Sequence, residues 1–105
     1  MSIAEFQFKS ASSSELVLPL SEALEALQLM AQSGVSVLGW DGWLRYPDGK
    51  LGHSQQHQGT ASAPQLSQAE LYAWFRSTMQ DSQVEHHHNP EVSGSELLFC
   101  ITYQA

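Results

Sequence analysis

Apolar residues along this chain recur at two spacings, and the switches between them mark its elements. From Leu20 to Ser33 the period is helical, with Leu20, Ala23, Leu24, Leu27, Met30 and Ala31 on one stripe. Ser21 suits the N-cap, Glu22 the positive end of the macrodipole, and Gly34 the left-handed position past the C-terminus. Leu29 falls on the opposite side, with Glu22 and Glu25.

From Val35 to Tyr46 the period becomes two and the residues turn β-branched and aromatic. Alternation puts Leu38, Trp40, Leu44 and Tyr46 on one face, and Val35, Val37, Asp41 and Trp43 on the other. Aromatics on both faces predict a central strand, covered on one side and partly exposed on the other. The glycines of Gly39-Trp40-Asp41-Gly42-Trp43 weaken such a strand unless a bulge or a close backbone approach requires them. Pro47-Asp48-Gly49-Lys50 is a turn, and Leu51 to about His57 returns as the second arm of a hairpin.

Gln58 to Gln65 is polar, contains Gly59 and Pro64, and reads as a linker. Ser67-Gln68-Ala69-Glu70 then has capping-box spacing and opens a longer helix with Leu71, Trp74, Phe75, Thr78, Met79 and Ser82 inward. Glu70, Asp81 and Glu85 lie along one flank of that stripe, and Asn89-Pro90 ends the helix. Leu97 to Tyr103 alternates again and supplies the last strand. At the N-terminus Ile3, Phe6 and Phe8 fit a short edge strand, followed by a serine-rich loop from Ser10 to Ser14. Residues 1–18 read as a loosely attached segment. The prediction is a single α+β domain over residues 1–105, with a small antiparallel sheet of about three to four strands on two helices. Its order is (β)-α-β-β-α-β.

Composition narrows the class. Hydrophobic content of 42%, with three Trp, three Tyr and four Phe, supplies a core for 105 residues without disulfides. One cysteine excludes an internal disulfide and fits a reducing compartment. No stretch approaches the ~20 apolar residues of a membrane span, and the N-terminus has no signal-peptide pattern, so a cytoplasmic location is expected. Eleven Asp plus Glu against four Lys plus Arg give a net charge of −7. That balance argues against nucleic acid or anionic membrane as partner and favours rapid association with something cationic.

Candidate chemistry is sparse. His86, His87 and His88 are consecutive on a helix, where neighbours point about 100° apart and cannot converge on a metal. They read as a polar helix end whose imidazolium complements the dipole. His53 and His57, four apart, lose alignment because they follow a hairpin turn. Cys100 has no local cation or helix N-terminus to lower its pKa and reads as a small buried hydrophobe. Asp48 is explained by its turn. Asp41, between glycines and two tryptophans, either makes a structural hydrogen bond or meets a partner's cation. With no phosphate loop, nucleophile elbow or zinc spacing, no catalytic residue, metal or cofactor is expected.

The run from Ser21 through Leu-Met-Ala-Gln-Ser-Gly-Val-Ser-Val-Leu-Gly-Trp-Asp-Gly-Trp-Leu-Arg and Gly-Lys-Leu-Gly-His-Ser, with the Phe99-Cys100-Ile101-Thr102 ending, resembles the immunity proteins of bacterial polymorphic toxin systems. The immunity protein 40 type is the most similar, and Gly39-Trp40-Asp41-Gly42-Trp43 carries the most specific part. The resemblance spans nearly the whole chain after about Leu16. It implies a small cytoplasmic protein, not an enzyme, that binds and neutralises a cognate toxin domain, and such toxins are often basic nucleases. The docking surface expected on charge and aromatic content comprises Trp40, Asp41, Trp43, Glu70, Asp81 and Glu85. The alternative is a small regulatory or ligand-binding module in which the tryptophans line an apolar pocket.

Overall fold

The computed structural model describes residues 3–60 and 67–104. In chain order these form α1 (Ile3–Lys9), β1 (Leu16–Leu18), α2 (Leu20–Ser33), β2 (Ser36–Arg45), β3 (Leu51–Thr60), α3 (Gln68–His88) and β4 (Glu96–Gln104). The strands make one antiparallel sheet in the order β1-β4-β2-β3. The α+β class and the small antiparallel sheet agree with the sequence reading. The order changes at its start: the edge strand expected over Ile3, Phe6 and Phe8 is a helix, and the leading strand is instead Leu16–Leu18.

The N-terminal change has a simple cause. Ile3 and Phe6 are three residues apart and share a helical face, and Phe6 is buried in the main core while Phe8 is 92% exposed. The alternation that suggests a strand depends on Phe8, which the fold leaves in water. Leu16, Val17 and Leu18 are fully buried and pair with Ile101, Cys100 and Phe99 of β4. Residues 3–18 are therefore integral to the domain. The Ser10–Ser14 run serves β1: Ser10 Oγ accepts the Val17 N–H at 2.8 Å, and the Val17 carbonyl accepts the Ala11 N–H at 2.9 Å. These bonds occupy the free edge of a strand that would otherwise offer itself to another chain.

Helix α2 spans the residues its periodicity marks, and Gly34 closes it at φ 71° with its N–H on the Met30 carbonyl. Its N-cap is Pro19, not Ser21, whose hydroxyl turns to Glu22. Proline's fixed φ, −63° here, already suits a helix start. Ala31 is exposed, whereas Leu29 is half-buried against the main core, which includes Phe6 of α1. Helix α3 begins with a complete capping box between Ser67 and Glu70. Its Phe75 and Met79 are fully buried, and Trp74 remains 39% exposed.

The main core lies between the helices and one sheet face. It joins Ala23, Ala26, Leu27 and Met30 of α2 and Phe75 and Met79 of α3 to Leu16, Leu18, Val37, Trp40, Leu44, Leu97, Phe99 and Ile101. Strand β4 does not alternate: Leu97 to Ile101 are all buried, because a second cluster of Val17, Leu98 and Cys100 covers its other face. Trp40 sits 5.1 Å from Phe99, ring to ring, and donates its Nε1–H to Thr78 Oγ1 at 3.0 Å.

Two irregularities reset the faces of β2. Its register with β4 slips by one between Val37 and Gly39, so Leu38 is an extra residue and is 49% exposed. This corrects the expected pairing of faces: Val35 and Val37 join Trp40 in the core, and Leu38 does not. On the other side, one residue of β2, Gly42, stands opposite four of β3, Ser54 to His57. Strand β3 runs on through Gln58, Gly59 and Thr60, residues expected in a linker; the rest of that stretch, 61–65, lies outside the described residues.

Gly59 pairs with Trp40, and a Cβ there would overlap the indole. Gly59→Ala is expected to lower stability by about 1–3 kcal/mol or more, since a fully buried indole cannot yield. Thr78→Val, which keeps shape but strands the indole N–H, is expected to cost about 1–3 kcal/mol. Urea unfolding curves check both, and wild-type midpoints would show that Trp40 is not held as described.

Candidate partner-binding face

The sheet face turned away from α2 and α3 carries the residues with no helix over them. Alternation from Trp40 onward points Asp41, Trp43 and Arg45 to this side, in register with Cys100, Leu98 and Glu96 of β4. Trp43 also pairs with His53 of β3, their ring centroids 4.7 Å apart at 59°. Like Leu51, it packs on the cluster of Val17, Leu98 and Cys100 and is half-buried, an amphipathic ring with one side packed and one side open.

Beside this ring lies a groove of about 570 Å³, lined among others by Asp41, Trp43, His53, Cys100, Thr102 and Glu15. Its electrostatics are one-sided. Arg45, the nearest cation along β2, is engaged with Glu96 at 3.4 Å. Asp41 is exposed and has no hydrogen bond or ion pair among the described residues. Of the two readings open for Asp41, the structural hydrogen bond is thus not present. Glu15 approaches from the loop before β1 and accepts the Cys100 Sγ–H at 3.4 Å.

Cys100 lies at the floor and is only 5% exposed. Burial, then the hydrogen bond and charge of Glu15, then Asp41, push its thiol up to about 12. A thiol so placed holds no thiolate near neutrality, which suits a small buried hydrophobe and not a nucleophile. Among the described residues no group of three or more His, Cys, Asp and Glu is placed to hold a metal ion.

The docking surface expected from the sequence divides. Asp41 and Trp43 stand together on the open face. Trp40, three residues before Trp43, has the opposite parity and is 1% exposed, so it offers nothing to a partner. Glu70 completes the α3 capping box, its carboxylate accepting the Ser67 N–H at 3.2 Å; hydrogen bonds from the Ser67 backbone and side chain hold its carboxyl below the usual range. Asp81 and Glu85 border a different recess of about 520 Å³ with Gln56, His57 and Ser82. Since α3 packs on the helix side of the sheet, these acids do not join Asp41. The tryptophans do not share a pocket either: Trp40 fills the core, Trp43 lies on the open face, and Trp74 packs edge-on to Phe75 along α3.

Glu15 and His53 escaped the sequence reading as parts of this face. Glu15 sits in a serine-rich loop whose destination only the β1–β4 pairing reveals. His86, read as part of a polar helix end, is buried, while His87 and His88 are exposed. No helix among the described residues is long and apolar enough to cross a membrane. Comparison with protein-family models and with curated proteins finds no match for this chain.

Alkylation of Cys100 by iodoacetamide at pH 8 is expected to run at least about a hundredfold slower in the folded chain than in the unfolded one, because only thiolate reacts. Comparable rates by mass spectrometry would remove the buried thiol from this description.

Proposed function

We propose that this chain is a binding protein of the immunity type, which takes a cationic surface of a cognate toxin domain onto the open face of its sheet. The observation that carries this reading is Trp43, half-buried and in tilted ring contact with His53, beside an exposed and unpaired Asp41. An aromatic ring held by its neighbours offers contact area at small entropic cost, and a free carboxylate beside it selects a positive partner. The net charge of −7 works in the same direction by speeding encounter. An Arg from the partner can lie on the indole while its guanidinium meets Asp41 and Glu15. The work is inhibition by binding, in the cytoplasm of the cell that makes the toxin, and needs no cofactor.

The test pairs the chain with the toxin domain encoded beside its gene, scored by growth rescue on co-expression and by titration calorimetry. Asp41→Lys is expected to weaken binding about ten- to a hundredfold, and Trp43→Ala by about thirtyfold or more, as for a hot-spot residue. Trp74→Ala, on the opposite side, is expected to leave affinity within about twofold. Full protection by a folded Asp41→Lys chain would exclude this face as the docking site.

A further inference from the structure

The bulge in β3 buries chemistry that the sheet itself does not require. Ser54 Oγ accepts the N–H groups of Gln56 at 3.2 Å and His57 at 3.1 Å. The same hydroxyl donates to Glu91 Oε1 at 2.8 Å, and Glu91 Oε2 accepts the Gln55 N–H at 2.9 Å. Glu91, just past α3, thereby ties the bulge to the connection between α3 and β4. Gly42 makes room for it: a Cβ there would lie 2.8 Å from the His57 carbonyl oxygen.

This turn sends His57 inward, to 5% exposure, with its ring 6.2 Å from that of His86 and nearly perpendicular at 81°. His86 is equally buried, and its Nε2 lies 3.1 Å from the Ser95 carbonyl oxygen. A carbonyl only accepts, so Nε2 carries the proton and Nδ1 of the neutral ring is bare. His86 Nδ1 and His57 Nε2 are both buried without a hydrogen-bond partner. A second proton on His86 would have to sit on that enclosed Nδ1, facing no acceptor.

We propose that the His57–His86 contact is an acid-operated latch, closed while His57 is neutral and opened by its protonation. When it opens, the Ser54–His57 bulge separates from the end of α3 and the Glu91 connection. The titratable groups facing His57 are His86, Glu85 and Asp81 from α3 and Glu91 from the following connection. Burial and the charge of His86 lower the His57 pKa from 6.5, against the smaller opposing pull of Glu91 and Glu85. A depressed histidine contributes stability that is complete above about pH 6.5 and is lost as pH falls through the lower folded value. Glu91 remains ionised across that window: although burial raises it, hydrogen bonds from Gln55 and Ser54 hold its carboxyl below the usual range. The latch therefore releases while its carboxylate tie is still charged. His53, in tilted ring contact with Trp43, immediately precedes the bulge, so opening also loosens the open face. The latch stands whether or not that face binds a toxin.

The test is a titration of the whole chain by NMR from pH 8 to 5, following the imidazole resonances and the amide exchange of Gln55, Gln56 and His57. His57 is expected to titrate below its ordinary value of 6.5. Protection at the bulge, corrected for intrinsic exchange, is expected to fall at least tenfold more than at Phe99 between pH 7.5 and 5.5. His57→Gln, or His86→Gln should the first not fold, is expected to flatten this difference. Titration of His57 at or above 6.5, or bulge protection that follows Phe99, overturns the latch from wild-type spectra alone.

Discussion

The indole N–H of Trp40 has one acceptor, the Thr78 hydroxyl, and that bond sets how α3 lies across the sheet. A buried Trp leaves a costly unpaired donor unless such a partner is present. Thr78 can serve because it also donates to the Phe75 carbonyl within its own helix, which orients its oxygen. Phe99 packs on one side of the ring, and Gly59 admits it on another. Helix α2 joins the arrangement through the Tyr72 hydroxyl, which donates to the Val35 carbonyl where α2 passes into β2. Strands β2, β3 and β4 and both long helices thus meet around one side chain.

Placing Trp40 inward forces Asp41 and Trp43 outward, and this is why the second face exists as a chemical surface. Strand parity leaves no choice once one of the three is set. The open face would be a plain solvated sheet were its neighbours small. Instead Val17, Leu98 and Cys100 form a minor core there, with Trp43 and Leu51 as its roof. The roof is incomplete, and the groove beside it is lined by Asp41 and Glu15. The result is a surface that is apolar underneath and negative at its rim.

The two sheet edges are closed by different means. At β1 the serine-rich loop folds back and satisfies both backbone groups of Val17. At β3 the four-residue bulge interrupts the ladder; Glu91 accepts the Gln55 N–H, and Ser54 Oγ those of Gln56 and His57. Closing the second edge this way buries two histidines with one unpartnered ring nitrogen each. Protection of an edge and sensitivity to acid come from the same few residues.

Much of the frame is legible in the residues alone. Helices α2 and α3, the Pro47–Lys50 turn and the final strand follow from local signals: apolar period, capping box, glycine at positive φ and proline after the last turn. Those signals act within a few residues, so a single sequence carries them whole. The α+β class and the pairing of Asp41 with Trp43 on one face are of the same kind. Other features depend on contacts between distant segments. A one-residue bulge at Leu38 inverts the faces of β2 before Gly39, and nothing local in Val37-Leu38-Gly39 marks where β4 will slip. The first strand is three residues long, too short for a period, and only its pairing with β4 defines it. The acids of α3 share a helix flank in sequence, yet the sheet stands between them and Asp41. Local pattern determined which residues become helix or strand and which are polar; the tertiary structure decided which of them meet, because register and layer order are set by packing across the whole chain.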